Sequence, residues 1–271
     1  MSLSTADIQW LRGETGVGMM DAKKALEATN GDREAAVEAL RKSGAKVAAA
    51  KSTRTVKDGA VGIAISADRR QAAMVALACE TDFVARTPDF QALVNELAVT
   101  LLHLSVGQPD ITLEQFLVAP AATGTVTDLV NAALAKMGEN MQVTGIATIT
   151  GEQIGDYIHS NHKLGAVVAM TKSNDDLAHD LAMHVAAMNP LYRVPADVPA
   201  DVLAKEEEVY RAQLKADGKP EAMWGKILPG KVAKFYSEVC LVKQPFVKDD
   251  KQRVEQVIGP AEITGFRRLA V

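Results

Sequence analysis

Two cysteines and five histidines are the side chains best suited to covalent or metal chemistry in this sequence, and their spacing limits them. Cys79 and Cys240 lie far apart, with no Cys-x-x-Cys pattern. They suit free buried thiols in a reducing compartment better than a disulfide framework. No base stands beside Cys79 to activate it as a nucleophile. His179 and His184 would be about 140° apart around a helix, so they cannot share one ion as an i, i+4 pair does. His159 and His162 flank a predicted loop, and nothing beside them completes a ligand set. A phosphate-binding loop is also excluded. "AKVAAAKS" has alanine at both glycine positions, and "GETGVG" has its glycines in the wrong order and follows no strand. Carboxylates are spread over helix surfaces. No catalytic constellation, cofactor site or metal site is expected.

A different chemistry is suggested by "CETDFVA", residues 79–85. It separates the apolar run "QAAMVALA" from a segment with helical periodicity, so a strand ends, a short loop follows and a helix begins. The loop holds Thr81, Asp82 and Phe83. Physical reasoning leaves two readings open. Phe83 packs under the helix while Asp82 accepts backbone hydrogen bonds, or Phe83 protrudes from a rigid strand end as an interface anchor.

Several elements must position this loop. The 271 residues are 48% hydrophobic and 24% charged, enough for a sizeable core and for more than one compact unit. Alanine is abundant and aromatics are 4%, which favours helix-rich packing. The net charge of −4 argues against nonspecific binding to nucleic acid. The opening "MSLSTADIQW" has no basic segment followed by an apolar one, so no signal peptide is expected. No run approaches a membrane span, so the expected setting is cytoplasmic.

The fold class read from the patterns is α+β. Residues 1–45 form a three-helix N-terminal domain. In it Thr5 caps a helix carrying Ile8 and Leu11, Asp21 sits in the first turn of a second, Asp32 caps the third, and Gly44 ends it. Residues 46–59, with Lys46, Lys51, Arg54 and Lys57, read as a linker. Residues 60–142 form a first core subdomain. "AVGIAIS" and "QAAMVALA" make a hairpin. Phe90, Leu93, Val94, Leu97 and Leu101 then mark one helix face, with Thr87 as cap and Pro88 at the first position. Residues 125–137 give another helix. Residues 143–190 plus 239–271 form a second subdomain. It holds strands "TGIATIT" and "LGAVVAMT", the helix "NDDLAHDLAMHVAAM", and a last strand "EITGFRRLAV" that joins its sheet. The strand–connection–strand–helix order occurs twice, a weak pseudo-repeat of two small antiparallel sheets, each with helices on one face. Residues 191–238 read as an inserted helical hairpin whose second arm Pro229 interrupts.

"CETDFVAR" resembles the signature of the elongation factor Ts family, guanine-nucleotide exchange factors of the GTPase elongation factor Tu. The resemblance extends along the chain. "LRGETGVGMMDAKKALEATNGDREAAVEALRKSGAKVAAAK" is similar to the family's ubiquitin-associated-like three-helix domain. "KMGENM", "YIHSNHKLGAVVAM", "LAMHVAAMNP", "CLVKQPFVKD" and "EITGFRR" are similar to its core segments, in the same order. The resemblance implies a protein that is not an enzyme. Phe83 would wedge beside the Mg²⁺ site of elongation factor Tu, with Asp82 alongside and Thr81 and Val84 shaping the loop. Mg²⁺ then loses coordination and GDP loosens. It also implies contacts with that partner through Arg12, Met19, Met20 and Lys23 of the N-terminal domain, and through Met137, Gly138 and His159 of the core. No nucleic acid, membrane or cofactor is implied.

There are departures from the family pattern. The sequence given ends with "FRRLAV", where many relatives continue into a short helix, and "NMQVTG" lacks a pair of arginines common there. The hairpin is a dimer contact in some relatives, and its Pro229 leaves homodimerisation open. Two other readings compete: a peptide- or ubiquitin-like-binding module with the core as scaffold, and an enzyme with Cys79 as nucleophile.

Overall fold

The computed structural model describes residues 4–15, 17–106, 108, 110–171 and 175–271, apart from the side chains of Ala45, Lys46 and Ala49. Gly16 of the first interhelical segment and Asn174, expected to open a later helix, therefore lie outside the described residues. The N-terminal helices are α1 (Thr5–Thr15), α2 (Met19–Ala28) and α3 (Arg33–Lys51). Leu11, Ala22, Leu26 and Ala36 are fully buried where they meet. Asp32 caps α3 as expected, accepting from the Ala35 N–H at 3.0 Å. The cap of α1 is Ser4 rather than Thr5: its Oγ accepts from the Asp7 N–H at 3.1 Å. Thr5 is already the first helical residue.

The third helix does not end at Gly44, and residues 46–51 are helical rather than linker. A single glycine costs about 1 kcal/mol in a helix interior, and the alanine-rich stretch that follows is a strong helix former. Tertiary contact decides the rest. Gly44 sits against α7 (Val126–Met137), where an added Cβ would lie 3.5 Å from the Asn131 carbonyl oxygen. Arg41 fixes the crossing through Asp128 at 2.5 Å.

The core has four layers: helix, sheet, sheet, helix. In the first sheet, β1 (Asp58–Ile65) and β2 (Gln71–Cys79) form the expected antiparallel hairpin. They are followed by α4 (Asp82–Ala85), α5 (Pro88–Ser105), α6 (Leu113–Val118) and α7, and β3 (Met141–Thr150) then pairs with β2. Thr87 caps α5, accepting from the Phe90 N–H at 3.3 Å, with Pro88 at the first position. Phe90, Leu93, Val94, Leu97 and Leu101 are all buried. Alternation along β2 serves both faces: Ala73, Val75 and Leu77 face α5, while Ala72, Met74 and Ala76 face the second sheet, meeting Val167 and Ala169.

The second sheet is β4 (Gln153–Ile158), β5 (Leu164–Met170) and β8 (Ile263–Ala270), in that order and antiparallel. Its outer face carries α8 (Asp175–Met188), packed through Ala178, Leu181, Ala182 and Val185. Residues 143–150, expected in the second subdomain, thus belong to the first sheet as β3. The hairpin of the second sheet is completed by β4 instead. The physical reason is that Met141 and Val143 bury into the first core. The β4 sequence "QIGDYI" also carries a glycine and an aspartate that blur its alternation. The pseudo-repeat is real in this corrected form. Each sheet is a hairpin, then a helix, then a returning strand on the second hairpin strand. A glycine in each first strand admits its helix: a Cβ on Gly62 would fall 2.7 Å from the Val94 oxygen of α5, and one on Gly155 2.0 Å from the Ala178 oxygen of α8.

The inserted hairpin is α9 (Ala200–Ala216) and α10 (Glu221–Val239). Pro229 lies inside α10 and does not interrupt it. The proline forgoes the hydrogen bond that residue 229 would donate to the Gly225 carbonyl, yet the helix continues through Val239. The strands β6 (Pro245–Phe246) and β7 (Asp249–Arg253) and the helix α11 (Val254–Ile258) lead back to β8. Among the described residues no helix is long and apolar enough to cross a membrane.

Candidate functional site

The segment that joins β2 to α5 is a single helical turn tied down at both ends. Cys79, the last residue of β2, donates its thiol to the Thr81 carbonyl at 3.2 Å. Thr81 caps α4, its Oγ1 accepting from the Val84 N–H at 3.4 Å. Glu139 receives the same residue twice: Thr81 Oγ1 donates to Oε1 at 2.6 Å and the Thr81 N–H donates to Oε2 at 3.0 Å. At the far end, Thr87 Oγ1 donates to the Val84 carbonyl at 2.8 Å and Gln91 Nε2 to the Ala85 carbonyl at 2.7 Å. Ala85 is buried, and Val84 packs against the first core.

With Thr81, Val84 and Ala85 committed inward, Asp82 and Phe83 occupy the outer side of the turn. Phe83 is 81% exposed. That exposure excludes the reading in which it packs under the helix; the fully buried aromatic of this region is Phe90. Asp82 is half-buried and pairs with Arg86 at 3.1 Å. A large apolar ring held in water on a fixed turn is what an interface anchor requires.

Met137 and Gly138 adjoin this turn through Glu139. Met137 lies partly buried against the first core, and Gly138 closes α7 with φ +84°. Lys51 of α3 donates to the Gly138 carbonyl. Asn140 is 2% exposed; its N–H donates to Glu80 Oε1 at 2.7 Å and its side chain to the Arg54 carbonyl at 2.8 Å. That N–H, and after it the Arg54 charge, hold the Glu80 carboxyl below its ordinary value.

His159 opens the turn between β4 and β5, exposed, with Nδ1 3.0 Å from the Tyr157 hydroxyl. This turn faces Arg86 across a cleft lined on one side by Asp58, Ala85 and Gln91 and on the other by Asn161, His162 and Lys163. Lys163 and Asp58 bridge the two walls at 2.5 Å. The structure thus places Met137–Gly138 next to Glu139, which holds the α4 turn, and sets Ser160–Lys163, the residues after His159, across a cleft from Ala85 and Arg86.

Arg12, Met19, Met20 and Lys23 stand apart from it. Met19 and Met20 are exposed at the start of α2, so neither belongs to the bundle core. Lys23 pairs with Glu27 at 3.7 Å. Among the described residues no hydrogen bond or ion pair links these four to the α4 turn. The connection is indirect: a groove between α2 and α3 is closed by Ala135 and Lys136 of α7, and Lys136 pairs with Asp89 of α5 at 2.9 Å.

The groups capable of covalent chemistry are turned away from solvent. Cys79 is fully buried. Burial, and after it the charge of Glu139, push its thiol up to about 11, far from a reactive thiolate. His184 is also buried. Its Nδ1 accepts from the Val247 N–H at 3.1 Å, so the proton resides on Nε2, which faces Gln244 Oε1 at 3.0 Å. Among the described residues no three His, Cys, Asp or Glu side chains are placed to hold a metal ion. Sequence reasoning does not single out Glu139, Asn140 or Glu80. The only local signal of Glu139 and Asn140 is a glycine helix end followed by "EN", and their partners lie 58 to 86 residues away along the chain.

Comparison with known proteins places these features in context. The protein-family model described as Elongation factor TS matches residues 80–271. The chain is 39% identical over 286 residues to Elongation factor Ts of a Nitratiruptor species, covering 99% of this chain and 92% of that protein. It is 41% identical over 289 residues to Elongation factor Ts of Nautilia profundicola, with coverages of 100% and 93%. To Elongation factor Ts of Marinobacter nauticus it is 40% identical over 272 residues, covering 100% and 91%.

Proposed function

The chain belongs to the elongation factor Ts family of translation elongation factors, and on that premise we propose that it promotes GDP release from elongation factor Tu by docking the α4 turn beside that GTPase's Mg²⁺ site. The observation that carries the reading is Phe83, 81% exposed on a turn fixed at both ends. A ring already held in its docked orientation loses little freedom on binding, so more of its burial appears as affinity.

The work needed is not covalent. A factor that binds nucleotide-free elongation factor Tu more tightly than the GDP-bound form must, by reciprocity, weaken GDP binding by the same factor. Release accelerates tenfold for each ~1.4 kcal/mol by which the ternary complex lowers its barrier. Disturbing a divalent ion is an effective lever, because Mg²⁺ neutralises the phosphates it bridges. In this reading Phe83 supplies the wedge and Asp82 accompanies it. Met137, Gly138 and His159 extend the contact over the core, and Arg12, Met19, Met20 and Lys23 add a second contact from the bundle. The flexible, apolar methionines suit such a surface. The setting is the cytoplasm, where translation takes place, and the protein acts as a binding factor rather than an enzyme.

Calorimetric titration of elongation factor Tu with this chain tests the linkage. Binding to the nucleotide-free GTPase is expected to be at least ~100-fold tighter than to the GDP-loaded form, a coupling of ~2.7 kcal/mol. Equal affinities would refute the proposal.

A further inference from the structure

We infer that Glu139 is a positioning residue for nucleotide exchange: by holding Thr81 it sets the direction in which Asp82 and Phe83 leave the body. The inference rests on the docking of the α4 turn proposed above.

Four residues of helix cannot hold themselves, because nucleating one turn is unfavourable without outside support. Within α4 the cap bond from the Val84 N–H to Thr81 is long, at 3.4 Å. Support comes from Glu139, whose two carboxylate oxygens both engage Thr81, at 2.6 and 3.0 Å. The same Thr81 oxygen that donates to Glu139 accepts the cap bond, so the carboxylate orients the hydroxyl for capping.

Glu139 is itself held rigidly. Before it, the Gly138 carbonyl takes the Lys51 ammonium. After it, Asn140 is buried and bonded to Glu80 and to the Arg54 carbonyl. The two segments exchange carboxylates: Glu139 accepts from the N–H of Thr81, and Glu80 accepts from the N–H of Asn140. This reciprocal clamp lies beside the apolar core rather than in it. Thr81 and Glu139 are both only partly buried, whereas Phe90, Leu93 and Leu97 are buried. Cutting the clamp should therefore loosen the turn while the core stays packed.

The test measures GDP release from elongation factor Tu at subsaturating factor, for the wild type, Glu139→Ala and Glu139→Gln, each with and without Phe83→Ala, beside thermal unfolding of each variant. Glu139→Ala is expected to lower the acceleration ~10-fold or more, and Glu139→Gln, which keeps one acceptor, ~3-fold or more. Phe83→Ala should cost its full factor in the wild type but a factor at least ~5-fold smaller in the Glu139→Ala background, because a ring no longer presented has less to lose. A merely structural role for Glu139 would leave the two substitutions multiplicative, and that result overturns the inference. So does a folded Glu139→Ala that matches the wild type. Should Glu139→Ala fail to fold, a folded Glu139→Gln with the wild-type rate overturns it equally. A wild type that does not accelerate release would instead refute the underlying docking proposal, and the inference with it.

Discussion

Replacing Phe83 with alanine should separate function from stability. In the free chain only about a fifth of the Phe83 surface is covered, since the residue is 81% exposed. Full burial of a Phe side chain is worth ~1.5–3 kcal/mol, so truncation gives up ~0.3–0.6 kcal/mol of folding stability. In a chain of this length that lowers the thermal midpoint by ~1–2 °C. The consequence for docking is much larger. A central aromatic anchor typically loses ~2–4 kcal/mol on truncation, which weakens binding ~30- to ~1000-fold. The assay pairs circular-dichroism melts with GDP-release rates titrated against factor concentration. The expected outcome is a nearly unchanged melt and a titration displaced to much higher concentration. A midpoint lower by more than ~8 °C would mean that Phe83 supports the fold. A titration within ~3-fold of the wild type would mean that the ring is not the anchor. Either result refutes the reasoning.

Two other substitutions probe the scaffold. Gly155→Ala places a Cβ 2.0 Å from the Ala178 oxygen; it should force α8 off β4 at a cost of ~1–3 kcal/mol or more, read as a lower midpoint in denaturant, and a wild-type midpoint would disprove the close approach. Burial holds the His184 imidazole below its ordinary value of 6.5. The folded state therefore favours the neutral ring: its contribution to stability is complete above the unfolded value of 6.5 and is lost as pH falls through the depressed folded one. Melts between about pH 7.5 and about pH 5 should show the wild type losing more stability than His184→Gln, and parallel profiles would rule this out.

The legible parts of the fold were those governed by local rules. The stripe from Phe90 to Leu101 and the Thr87–Pro88 start of α5 depend only on helical periodicity and capping, and both are present. Gly44 misled because a glycine past a basic turn imitates a helix end, whereas its actual role is to let α3 approach Asn131 of α7, a contact across the chain. The assignment of β3 failed for a related reason. The weak alternation of "QIGDYI" hides β4, so β3 looks like the partner of β5, whereas it pairs with β2 in the first sheet. At the site, the residue types in "TDFVA" admit both an inward and an outward Phe83. The choice is made by Glu139, which draws Thr81 inward from a turn fifty-eight positions further along the chain. Local spacing carries no trace of such a partner.

The most direct measurement is stopped-flow release of a fluorescent GDP analogue from elongation factor Tu over a concentration series of this chain, with excess unlabelled GDP as trap. The account predicts a release rate that climbs with the concentration of the chain and saturates well above the intrinsic rate. Release that stays at the intrinsic rate at every concentration, while chelation of Mg²⁺ in a parallel sample speeds it, would contradict the account.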